Sequence, residues 1–267
     1  MTICIATICD NKKRVLLASD RMVTLSFPST EFEHDTSKYI KLTNKCYMGT
    51  AGEATRHTDI IRRIRQEIRP NSDLTIYEIC ETIKNAYIQE RAKRINDQNF
   101  LPRLMDIKEF YASMEEYPSE FIDKMDNIVD EYDLEIEVII AGIDKDGGHI
   151  FTISNPGVVT CYDDLGYASI GSGGAHSEWV FIYNEYAPSL SMKDAMLTLY
   201  KSKKRSETAE GVGSKTDIVI INDAGSNEFT PSSSLISDLE KIYSVSERKT
   251  EIDKEAKKMM DDLDLEN

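Results

Sequence analysis

Short β-branched runs that come in pairs around polar turns, with helical stretches between the pairs, are what most constrains how this chain can fold. Thr2 to Cys9 is one such run, Asp10-Asn11-Lys12-Lys13 supplies turn chemistry, and Arg14 to Ser19 answers it, which predicts a β-hairpin. Lys38 to Leu42 and Cys46 to Gly49, around Thr43-Asn44-Lys45, predict a second hairpin. From Glu53 the period changes. Ile60, Ile61, Ile64 and Ile68 fall at helical spacing, and Pro70-Asn71 ends that segment. Ser72 or Asp73 is a candidate cap for a second helix whose stripe is Ile76, Ile79, Cys80, Ile83, Ala86 and Tyr87, running on toward Ile95.

The stretch from about 96 to 133 is more polar, holds Pro102 and Pro118, and reads as a helical insertion outside the central core. Strands return at Ile136–Ile143 and His149–Ser154, around the turn Asp144-Lys145-Asp146-Gly147-Gly148. Shorter ones follow at Gly157–Tyr162 and Tyr167–Ile170. Helical pattern occupies Ala175–Tyr186 and Ser191–Ser206, and Lys215–Asn222 closes the strand set. Hairpins interleaved with helix pairs imply an α+β chain of antiparallel sheets covered by helices, because a parallel βαβ sheet would alternate single strands with single helices. The expected organisation is one domain over 1–231 and a charged helical tail over 232–267.

Composition narrows the function classes. The chain has 267 residues, 47 acidic and 32 basic, for a formal net charge of −15. With a pI near 4.8, nothing concentrates enough positive charge to displace counterions from a phosphate backbone, so no nucleic-acid partner is expected. No apolar run approaches the roughly 20 residues of a membrane helix, and Met1 to Cys9 lacks the basic start of a signal peptide. No membrane partner is therefore expected. The five cysteines are scattered and never form a CxxC pair, which points to a reducing, cytoplasmic setting. Cys4 and Cys9 read as core. The four histidines show no metal spacing, and the calcium-like Asp144-Lys145-Asp146 has Asn155 where the twelfth-position Glu belongs, so neither metal nor cofactor is expected.

Four segments taken together resemble the proteasome-type N-terminal nucleophile hydrolases: proteasome β subunits, the related bacterial peptidase and Anbu-like proteins. They are Thr2 directly after Met1, Val15-Leu16-Leu17-Ala18-Ser19-Asp20 with Thr24 four residues on, Lys38 followed by Gly49-Thr50-Ala51-Gly52, and Ala168-Ser169-Ile170-Gly171-Ser172-Gly173-Gly174 before a helix. Order and spacing match over residues 2–222 apart from the insertion. The resemblance implies a four-layer αββα sandwich, a peptide or protein substrate, and self-assembly into homo-oligomers. It also admits an ATP-dependent unfoldase as partner, to which nothing in the chain points.

The chemistry follows from the residue types. A threonine hydroxyl needs a base beside it, and a free α-amine, with a reference pKa near 8, is one; removal of Met1 would expose it on Thr2. Asp20, at the end of an apolar strand, needs a partner, and Lys38 is the candidate, with Arg21, Lys41 and Asp35 as alternatives. The Gly52 N–H, expected at the head of the first helix, is the candidate oxyanion donor. By the resemblance, Ser172 and Ser214 orient the Thr2 amine. Gly211 stands where that family commonly carries an aspartate. The glycine-rich 171–174 stretch lacks both P-loop and dinucleotide spacing. Two other classes stay open: a non-peptidase amidase or acyl-transferring ligase of the same type, and a catalytically silent scaffold.

Overall fold

The computed structural model describes residues 2–25, 30–52, 56–70 and 73–246. The chain is α+β, and all strand pairings among the described residues are antiparallel. β1 (Cys4–Cys9), β2 (Arg14–Ser19), β10 (Tyr167–Ile170), β11 (Asp217–Asn222) and β12 (Gly225–Phe229) form one five-stranded sheet in the order β10-β1-β2-β11-β12. β5 (Tyr39–Thr43), β6 (Cys46–Gly52), β7 (Ile136–Asp144), β8 (Gly147–Ser154) and β9 (Val158–Cys161) form a second in chain order. β3 (Met22–Leu25) and β4 (Thr30–Glu33) make a separate two-stranded ribbon. That ribbon and β12 are absent from the sequence expectation, because β4 (Thr-Glu-Phe-Glu) and β12 (Gly-Ser-Asn-Glu-Phe) are mostly polar and lack the apolar runs that mark the other short strands.

Every residue of β1 is buried, although an antiparallel strand with one wet face would alternate. The cause is that both faces are covered. Cys4, Ala6 and Ile8 join Val15, Leu17, Ile139, Ala141 and Val219 in a cluster drawn from both five-stranded sheets. Ile3 and Ile5 point the other way, with Leu16 and Ile218, into residues of α5 (Gly174–Tyr183) and α6 (Met192–Ser206): Phe181, Ala195 and Leu199. On the second sheet, Met48, Val138, Ile140 and Phe151 meet Ile60 and Ile64 of α1 (His57–Glu67) and Ile79 and Ile83 of α2 (Ile76–Ile95). Each buried Ile or Leu contributes roughly 1.5–3 kcal/mol, so these three clusters dominate the fold.

Helix ends follow local chemistry. α2 is capped by Thr75, whose hydroxyl accepts from the Glu78 N–H while the Glu78 carboxylate accepts from the Thr75 N–H. This reciprocal box outcompetes Asp73, one of the two expected caps; the other, Ser72, lies outside the described residues. After α2 the chain passes through short helical turns and non-helical breaks into α3 (Ile107–Ala112) and α4 (Ser119–Glu131), which build a small core of their own from Phe100, Phe110 and Met125 around Ile95. α7 (Ser234–Ser246) buries Ile236 and Leu239 against the α6 side of the first sheet. Residues 247–267, Ile252 among them, lie outside the described residues. Among the described residues no helix is long and apolar enough to cross a membrane.

The Asp144–Asp146 turn is occupied by protein. The Asp144 carboxylate accepts from the Ile76 and Asp146 N–H groups, and His149 lies between Asp144 (3.1 Å) and Asp163 (2.6 Å). The hydrogen bond to Asp163 raises the His149 pKa against the opposing effect of burial. A raised histidine stabilises the fold below its unfolded pKa, and that stabilisation is lost as pH rises through the folded value. His149→Gln is therefore expected to lower the melting temperature by about 2–4 °C near pH 6, for roughly 1 kcal/mol, and by less near pH 9. Melting curves of both proteins across that range check this; an offset constant with pH would refute the charged His149 pairing.

Candidate active site

Strand register brings the candidate residues together. Cys4 pairs with Ser19 on one side and with Ile170 on the other, so the residues just beyond those positions, Asp20 and the 171–173 loop, flank Thr2 and Ile3. Lys38 arrives from the second sheet. Tyr39, the first residue of β5, donates its hydroxyl to the Ile5 carbonyl at 2.6 Å and sits in the cluster shared by the two sheets, which holds the preceding lysine against Thr2.

Thr2 is 3% exposed and Asp20 is fully buried. The Thr2 hydroxyl donates to Asp20 Oδ1 at 2.8 Å and accepts from the Lys38 ammonium. Lys38 also donates to Asp20 Oδ1 at 2.6 Å. The carboxylate takes further N–H groups from Ile3 (3.0 Å), Met22 (2.9 Å) and Gly213 (2.9 Å). Burial pushes the Asp20 pKa upward, but the Lys38 charge and hydrogen bond, with the N–H donors of Gly213 and Ile3, outweigh it and hold the carboxyl below its ordinary value. Of the alternatives to this pair, Arg21 is committed to Asp217 through two bonds of 2.8 and 2.6 Å, Lys41 lies over the Tyr47 ring, and Asp35 is exposed.

Ser172 Oγ accepts from the Thr2 N–H at 3.3 Å and donates to the Glu210 carbonyl at 3.0 Å. Gly171 and Gly173 wrap the Thr2 carbonyl. The Gly173 N–H donates to it at 3.3 Å, and a Cβ on Gly171, whose φ is +96°, would lie 2.3 Å from that oxygen. The glycine-rich stretch thus holds the chain's own backbone at this point.

Two expectations need correction. Gly52 does not begin a helix: it is the last residue of β6, with φ +112°, and α1 starts only at His57. The antiparallel pairing of β6 with β7 carries the strand through Gly52, where a Cβ would lie 2.0 Å from the Glu135 carbonyl. Gly52 still lines the same cleft as Thr2 and Lys38, a space of about 430 Å³. The Ser214 hydroxyl makes no hydrogen bond to Thr2 among the described residues; it donates to Glu33 of β4 at 3.3 Å. The reason is a residue that sequence reasoning missed. Lys203, fully buried on α6, donates to the carbonyls of Gly213 (2.9 Å) and Ser214 (2.8 Å) and to Glu207 (2.6 Å), drawing the loop backbone inward and leaving the Ser214 side chain outward. Burial lowers the Lys203 pKa against the opposing pull of Glu207. The available signal was its place on the stripe Ala195, Leu199, Lys203, Ser206, where a lysine needs buried acceptors.

Gly211 has φ +74°, a backbone state that glycine adopts without the steric cost a Cβ brings. Among the described residues no group of three or more His, Cys, Asp or Glu could hold a metal ion. The chain matches no family model and no curated protein.

Proposed function

We propose that this chain is an N-terminal threonine hydrolase of peptide or other amide bonds, built as an αββα sandwich of the proteasome type. The observation that carries the reading is the convergence of Asp20, Lys38 and Ser172, from three separate segments, on Thr2 at the edge of a cleft. The three apolar clusters, one drawn from both large sheets and one between each sheet and its helices, support the layered arrangement.

In the proposed reaction, Met1 is first removed. The Thr2 hydroxyl oxygen then attacks the substrate carbonyl, and the Thr2 amine takes the hydroxyl proton. Lys38, held by Asp20, stabilises negative charge on the attacking oxygen, and the Gly52 N–H receives the charge that develops on the carbonyl oxygen. The proton passes to the leaving amine as the amide bond breaks, which leaves an ester on Thr2. Water, deprotonated by the same amine, hydrolyses that ester and restores Thr2. Homo-oligomerisation belongs to the same proposal, as does the admitted unfoldase partner.

A silent scaffold is the second reading, favoured by Ser214 turning to Glu33 and by Gly211. Intact mass with N-terminal sequencing, followed by labelling with a peptide β-lactone, separates the two. The hydrolase reading expects a chain beginning at Thr2 that gains one acyl group. Retained Met1 removes the amine base, and a processed chain that resists the lactone supports the scaffold.

A further inference from the structure

The cleft beside Thr2 has a charge unlike the rest of the molecule. The chain carries a net −15, yet among the described residues the cleft wall contains no aspartate or glutamate. Its cations are Lys38 and Arg65. Lys38 is compensated by Asp20 at 2.6 Å. Arg65 is not. Arg56 at the α1 N-cap and Arg62 and Arg63 within that helix reach Glu135 (3.0 Å), Asp59 (3.0 Å) and Glu90 (3.6 Å), whereas Arg65, exposed in the last turn, has no ion-pair partner among the described residues. One turn before it, Ile61 lines the same cleft, and Ile40 of β5 adds a second apolar wall. An apolar passage with an uncompensated guanidinium on its wall suits a side chain with a short aliphatic stem and a terminal carboxylate.

We propose that the cleft selects acyl donors with a carboxylate side chain, as in a peptide with glutamate at the residue whose carbonyl is attacked, and that Arg65 determines this specificity. The proposal rests on the hydrolase reading for its location, but binding tests it separately from catalysis. The overall negative charge works against any acidic peptide at long range and is screened beyond about 8 Å at physiological salt. The comparison that isolates Arg65 is therefore glutamate against glutamine in one sequence.

Fluorescent peptides differing only in Glu, Gln or Lys at that position are titrated against the full chain carrying Thr2→Ala, with and without Arg65→Gln. The same peptides are offered to the wild-type chain as substrates. Glu is expected to bind about three- to tenfold more tightly than Gln, with Lys weakest. Arg65→Gln is expected to erase the Glu–Gln difference, and Arg65→Glu to favour Lys. Equal or undetectable binding of the Glu and Gln peptides, or a Glu preference that survives Arg65→Gln, overturns the proposal. Arg65-dependent Glu binding without hydrolysis by wild type sustains the specificity and sinks the hydrolase reading. Hydrolysis that ignores Glu against Gln does the reverse.

Discussion

Thr2→Ala is expected to abolish amide hydrolysis while leaving the fold close to its original stability. The hydroxyl is one of five donors to Asp20, and the Lys38–Asp20 contact at 2.6 Å does not depend on it. Its removal takes away one hydrogen bond and a small volume, a cost of about 1–2 kcal/mol. The chemical loss is far larger, because no other described hydroxyl shares the Lys38–Asp20 pair. Loss of a nucleophile costs on the order of 10⁴- to 10⁶-fold in kcat. Thr2→Ser keeps the oxygen and is expected to retain measurable turnover. A fluorogenic peptide amide, assayed on chains shown to lack Met1 and checked by thermal melting, measures both effects. Full activity in Thr2→Ala removes the nucleophile assignment.

Much of this site was legible in the sequence because its parts are fixed by strand register. Once β1, β2 and β10 are read from their apolar runs, Thr2, Asp20 and Ser172 fall at strand ends that pairing must bring together, whereas Lys38, just before β5 of the other sheet, reaches them through the packing of the two sheets. The most legible positions are those set by backbone hydrogen bonding. The illegible ones depend on where a loop runs. Ser214 belongs to a loop whose carbonyl oxygens are held by Lys203 of α6, and a sequence does not say which carbonyls turn inward. Gly52 was misplaced for a related reason: Gly49 to Gly52 is poor in β-branched residues and reads as a strand terminus, yet pairing with β7 extends the strand to Gly52. Thr75 beat Asp73 as a cap because only Thr75 has a glutamate three residues on. The apolar runs also understate their environment. β1 is buried on both faces, and five of its six residues divide between two clusters that only the packing of both sheets reveals.

Asp20→Asn is expected to damage stability and activity together, which distinguishes it from the Thr2 substitution. Both edges of the Asp20 carboxylate only accept. Oδ1 takes Thr2, Ile3 and Lys38, and Oδ2 takes the N–H groups of Met22 and Gly213. An asparagine amide must therefore set its NH2 either against two backbone donors or against an ammonium. It also leaves Lys38, whose side chain is only 14% exposed, without a counter-charge. Breaking a buried pair in this way costs about 3–5 kcal/mol, an expected fall of roughly 6–15 °C in melting temperature. The pH dependence carries a sign. Because the Asp20 pKa is held below its ordinary value, the stabilisation is present above the unfolded pKa and is lost as pH falls through the folded one. The gap between wild type and Asp20→Asn should therefore be full at pH 7 and shrink in the acid range below about pH 4. Melting curves at pH 7 and pH 3 test this beside turnover at pH 7, where loss of Lys38 positioning should cost at least about a hundredfold. An Asp20→Asn protein that melts with wild type at pH 7 and keeps its turnover would mean that the carboxylate neither supports the fold nor tunes Thr2.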